Sequence, residues 1–95
     1  MRKSPFFVAA NTQTSESTLR KLARDMMDNV RLITAQNKNT PTDALETLAK
    51  DRNEKVRVAV ANNSCTPIAT LKNLANDNNP SISTAAKNSL IKEYL

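Results

Sequence analysis

A spacing of 26 residues organises this chain. Leu19, Leu45 and Leu71 stand 26 apart, as do Leu22, Leu48 and Leu74; Ala23, Ala49 and Ala75; Asp25, Asp51 and Asp77; and Val30, Val56 and Ile82. Ala9, Ala35 and Ala61 keep the same step, and so do Asn11, Asn37 and Asn63. Thr40-Pro41 returns as Thr66-Pro67, with Thr14-Ser15 in the matching place. Columns in register over most of a chain mean tandem units. Each is too small to bury an apolar face alone and must stack on its neighbours. The 95 residues divide into units of about 4–29, 30–55 and 56–81, with a C-terminal capping helix over 82–95. Together they form one domain, 1–95.

Each unit reads as two helices, so an all-α fold is expected. In NKNTPTDALETLAKD, Thr40 is the expected N-cap. Pro41 then takes the first helical position, where a missing N–H costs nothing. Asp43 suits the positive end of the dipole. Leu45, Leu48 and Ala49 form an i, i+3, i+4 stripe. The other helix covers RNEKVRVAVANN, with Asn53 as cap and Val56, Ala59 and Val60 inward. Asn79-Pro80 repeats the cap-plus-proline signal. The chain has no Gly. Asn11, Asn37 and Asn63, placed where helices end, are therefore expected to supply the left-handed C-terminal conformation. β-branched residues are scattered, with no period-two run to suggest a strand.

Composition closes off most chemistry. Without Gly, His or Trp, and with one Cys, there is no Gly-rich phosphate loop, no His-dependent triad and no zinc ligand set. No cofactor and no metal are expected, and no enzyme. Cys65 cannot pair within the chain and reads as a passive thiol in an exposed turn, in a reducing, cytoplasmic setting. The apolar run in MRKSPFFVAANTQ is too brief for a signal-peptide core, and no stretch approaches a membrane span. Met26 and Met27 read as the end of a helix, filling gaps between units. Phe6 and Phe7 at one end, and Ile91, Tyr94 and Leu95 at the other, read as caps. They predict a monomer, or a weak dimer through those caps.

The order Leu-x-x-Leu-Ala-x-Asp, then Val-Arg, then Asn-x-x-Thr-Pro resembles the leucine-rich repeat variant family, related to HEAT-like α-solenoids. Residues 56–77, VRVAVANNSCTPIATLKNLAND, are the clearest copy, and 30–51 nearly as good. The resemblance covers about residues 4–90. It implies a short right-handed α-α superhelix of about three and a half two-helix repeats. It also implies that Asp25, Asp51 and Asp77 with Arg31 and Arg57 form a structural ladder between units. An Arg fork suits a carboxylate and carbonyls at helix ends. Some members carry an iron–sulfur cluster on several Cys residues; one Cys cannot hold it, so that feature is not carried over.

In such superhelices the second helices line the concave, binding side. Helical spacing turns Leu45 and Leu48 inward and Asp43, Glu46, Thr47 and Lys50 outward. Stepping by 26 gives three rows across the stack: Arg20, Glu46, Lys72; Lys21, Thr47, Asn73; and Arg24, Lys50, Asn76. They grade from basic to amide-rich. The net charge of +5 favours acidic partners. The expected function is a non-catalytic protein-binding module with an acidic-surfaced partner. A small regulator or inhibitor encoded by a bacterium or mobile element, such as an anti-defence protein, is one form of it. The alternative is binding to the backbone of duplex nucleic acid. Base stacking on a single strand is disfavoured by the shortage of aromatics. So is base-excision chemistry, which a related two-helix solenoid can host.

Overall fold

The two inner 26-residue units each fold into a helix of nine residues and a helix of seven. The structure, a computed structural model, describes residues 3–93. Among these residues it is all-helical, with seven helices: α1 (Pro5–Ala10), α2 (Glu16–Leu22), α3 (Asp28–Gln36), α4 (Thr42–Leu48), α5 (Glu54–Asn62), α6 (Ile68–Leu74) and α7 (Pro80–Glu93). Seven residues make two turns at most, so these helices have almost no stability of their own in water. Packing holds them. The odd helices form one row in chain order, α1 on α3 on α5 on α7. The even helices lie beside them; α2 packs directly on α4, while α4 and α6 approach less closely. The result is elongated, with extents of 44 × 25 × 16 Å.

The recurring apolar columns lie between the two rows. Leu19, Leu45, Leu48, Val30, Val56 and Ile82 are completely buried, and Leu71 and Leu74 nearly so. Ala9, Ala35 and Ala61 are also fully enclosed. A side chain of one carbon there lets the odd helices approach closely.

The asparagine column works differently from the expectation. No described residue has a positive φ. Asn11, Asn37 and Asn63 are C-caps in extended conformation, with φ near −79°, −75° and −76°. Their side chains make the turn. Each Oδ1 accepts from the backbone N–H two residues on, at Gln13, Asn39 and Cys65. Each backbone carbonyl accepts from Thr14, Thr40 or Thr66, closing a β-turn that needs no left-handed residue. The amide nitrogens then tie the units together. Asn37 Nδ2 donates to the carbonyls of Ala9 (2.7 Å) and Asn11 (3.1 Å). Asn63 Nδ2 donates to those of Ala35 (2.8 Å) and Asn37 (3.1 Å). Ser89, one further step along, continues the ladder by donating Oγ–H to the Ala61 carbonyl. Orphan carbonyls at helix C-termini are thereby satisfied by the neighbouring unit. Glycine is dispensable because the turns are built by side chains.

Four other expectations change. Pro41 and Pro67 are themselves the N-caps, one residue earlier in helical register than predicted. A proline φ of −65° fits either place, and its ring pushes the preceding residue to extended backbone. Thr40 is therefore not a cap; its hydroxyl donates to the Thr34 carbonyl, as Thr14 and Thr66 do to Val8 and Val60. Unit boundaries at 30, 56 and 82 fall inside helices that begin at 28, 54 and 80. Met26 and Met27 fill no gap. They lie in the α2–α3 connection, Met26 89% exposed, because that segment runs over the surface. Phe7 and Ile91 are each 56% exposed and do not seal the ends, although Phe6 is half-buried. Lys3 Nζ sits over the Phe7 ring at 5.3 Å. The Tyr94 and Leu95 caps lie outside the described residues. No helix among the described residues is long and apolar enough to cross a membrane.

Candidate functional site

Each even helix presents the same geometry. Two leucines and an alanine, such as Leu45, Leu48 and Ala49, turn toward the odd row, and the opposite side faces solvent. Arg20, Lys21 and Arg24 on and just after α2, Glu46, Thr47 and Lys50 on and after α4, and Lys72, Asn73 and Asn76 on and after α6 are all exposed.

The rows are not a uniform basic track. Arg20 Nε donates to both carboxylate oxygens of Asp43 on α4, at 3.2 and 3.0 Å. That bond holds the Asp43 carboxyl below its ordinary range. Both groups are half-exposed or more, so the pair fixes orientation rather than stability. It also takes the N-terminal guanidinium out of the pool of free cations. Glu46 places a second anion in the middle of the face. Thr47 and Asn76 bond back to their own helices, at the carbonyls of Asp43 and Lys72. Glu46, Lys50 and Asn73 come together around a cleft of about 270 Å³ between α4 and α6, joined by Thr70, Leu74 and Asp77. Lys21, Arg24, Lys72 and Asn76 lie outside it.

Arg31 and Arg57 do not face that side. Arg31, 7% exposed, donates Nε–H to Asp51 (2.7 Å), Nη1–H to the Asp25 carbonyl (2.7 Å) and Nη2–H to Asp28. Arg57 repeats this one unit on, with Asp77 (2.9 Å) and the Asp51 carbonyl (2.7 Å). Asp25, Asp51 and Asp77 lie just beyond the even helices. Their Oδ1 atoms accept from the N–H groups of Met27, Asn53 and Asn79. Asn53 and Asn79 add a further rung, their amides donating to Asp28 and Glu54 of the preceding unit. Sequence reasoning missed Asp28 and these two amide rungs. The pairing of an Asn column with an acid 25 residues earlier was the available signal.

Comparison with protein-family models, curated proteins and solved structures finds no match.

The ladder acids predict the behaviour in acid. Burial raises the Asp77 carboxyl, but the Asn79 N–H and Arg57 outweigh it and hold the group below the ordinary 3.8. The Asn53 amide, followed by Arg31, does the same for Asp28. Carboxyls with depressed folded values contribute stability that is complete above the unfolded value and lost as pH falls through the folded one. The melting temperature is expected to hold between about pH 5 and 7 and to fall below about pH 4. Asp77→Asn is expected to flatten that acid limb in a series of thermal melts. An unchanged limb in the variant would contradict the assignment.

Proposed function

We propose that the chain is a HEAT-like right-handed α-α superhelix that works as a non-catalytic protein-binding module. Its binding side is the outer face of α2, α4 and α6, and its partner carries an acidic surface. As a small domain in a reducing, cytoplasmic setting it acts as a regulator or inhibitor of that partner. An anti-defence protein of a bacterium or mobile element is one form this takes.

The mixed charge of the face carries the reading. A nucleic-acid backbone is uniformly anionic, and a groove that follows it gains from each cation and loses at each anion. Here Asp43 and Glu46 interrupt the middle helix, and Arg20 is already paired. Patterned charges of both signs suit a protein surface, where complementarity sets register and rejects wrong partners.

Affinity capture after nuclease treatment tests this. The intact chain is expected to retain a protein in stoichiometric amount, and Arg24→Glu with Lys50→Glu to lose it. Recovery of nucleic acid alone would favour the duplex reading. A duplex track through Lys21, Arg24, Lys50 and Lys72 would show a log–log salt slope of about −3 to −4.

A further inference from the structure

The seam between α4 and α6 differs from the one before it. Between α2 and α4, Arg20 reaches across to Asp43. One unit later the corresponding residues are Glu46 and Ala69, and alanine offers no partner. The two helices stay further apart, and the cleft opens there.

Its lining is polar but electrically balanced. Asp77 is occupied by Arg57 and by the Asn79 N–H. Glu46 on α4 and Lys50 just after it are in no ion pair among the described residues, and their charges cancel. Asn73 adds an amide, and Leu74 an apolar wall.

Thr70 supplies the decisive observation. It is 3% exposed, yet its hydroxyl has no hydrogen-bond partner among the described residues, unlike those of Thr34, Thr40 and Thr66. No side-chain oxygen sealed from solvent among those residues lacks a partner. The Thr70 hydroxyl must therefore open on the cleft. Bonded to no group among the described residues, that hydroxyl is available to a side chain entering the cleft.

We propose that the α4–α6 cleft receives an uncharged primary carboxamide, the side chain of a partner's glutamine or asparagine. This rests on the reading of the even-helix face as protein-binding, and it names the anchor at its centre. A guanidinium in the cleft would pair with Glu46 but meet Lys50. A carboxylate would pair with Lys50 but meet Glu46. A carboxamide avoids both conflicts, its C=O accepting from Lys50 or Thr70 and its NH₂ donating to Glu46. A volume of about 270 Å³ is room for one side chain and too little for most drug-sized ligands.

The test is a backbone-amide NMR titration of the full chain with N-acetyl-glutamine N-methylamide, using the glutamate and arginine analogues as controls. Saturable shifts are expected at residues 46–50 and 70–77 for the glutamine probe, with the charged probes about tenfold weaker. Thr70→Val is expected to weaken the glutamine probe by about three- to tenfold. Because the hydroxyl bonds nothing among the described residues, that variant is also expected to melt no lower than the parent. No saturable shift, equal response to all three probes, or unchanged binding by Thr70→Val would overturn the proposal. A parent that captures its protein partner equally well with Thr70→Val would sink the cleft and leave the protein-binding face standing. A cleft that binds the probe in a chain that captures no protein would do the reverse.

Discussion

Arg31→Ala is expected to lower stability by about 3–5 kcal/mol, the cost of removing one partner from a buried ion pair. For a domain of this size that is a large part of a total of about 5–15 kcal/mol, and it corresponds to a melting point at least about 12 °C lower. The loss has two physical parts. The Asp51 carboxylate, itself nearly buried, is left without its cation, and the Asp25 carbonyl without its donor. Combining Arg31→Ala with Asp51→Asn is expected to recover part of the loss, because the uncompensated charge is removed while the bond to the Asn53 N–H can persist. Arg57→Ala should cost less, since its pair with Asp77 is more exposed and, among the described residues, it makes no bond to Glu54 to match that of Arg31 with Asp28. Thermal and urea melts of the three variants check this order. Equal and small losses would mean that the Arg–Asp ladder decorates the stack without holding it.

Asn63→Ala is expected to cost about 2–4 kcal/mol, which is large for a residue with no apolar side chain to lose. It removes two bonds to the preceding unit and one within the turn, and it strands a buried carbonyl at the end of α3. Asn63→Asp keeps the turn acceptor but points an oxygen at the Ala35 and Asn37 carbonyls. It is expected to be at least as damaging at pH 7 and to recover as pH falls, because the protonated acid can donate again. Asn11→Ala should cost about 1 kcal/mol or less, since among the described residues Asn11 donates to no neighbouring unit and loses only its turn bond. If Asn11 and Asn63 proved equivalent, the amide ladder would have no energetic role.

These two ladders show where residue patterns were informative. Burial of the Leu, Val and Ala columns followed from the 26-residue step, because one-sided packing forces apolar positions to recur. The exposure of Arg20, Lys50, Lys72 and their row neighbours followed equally well, since inward leucines fix the outward side. The asparagines were recognised by position but assigned to backbone conformation. Residue type tells what a side chain can do locally, whereas their main partners sit 26 and 28 residues away. Thr40 and Pro41 were misplaced by one residue because proline fits both the cap and the first turn. Met26 and Met27 were assigned by apolar character alone, although the later units carry Arg52-Asn53 and Asn78-Asn79 there, a sign of surface. The cleft was invisible in any one unit. It arises from a difference between two seams, Arg20 with Asp43 against Glu46 with Ala69.

Site-specific photo-crosslinking compares the two sides of the stack directly. A benzophenone amino acid is placed at Thr47 on α4 in one chain and at Lys55 on α5 in another, both exposed positions. The same lysate is then irradiated with each. The expected result is one protein adduct of defined mass from position 47, resistant to nuclease and removed by Lys50→Glu, with none from position 55. Equal labelling from both positions, or an adduct from position 47 that is nucleic acid, would contradict a protein-binding face on the even helices.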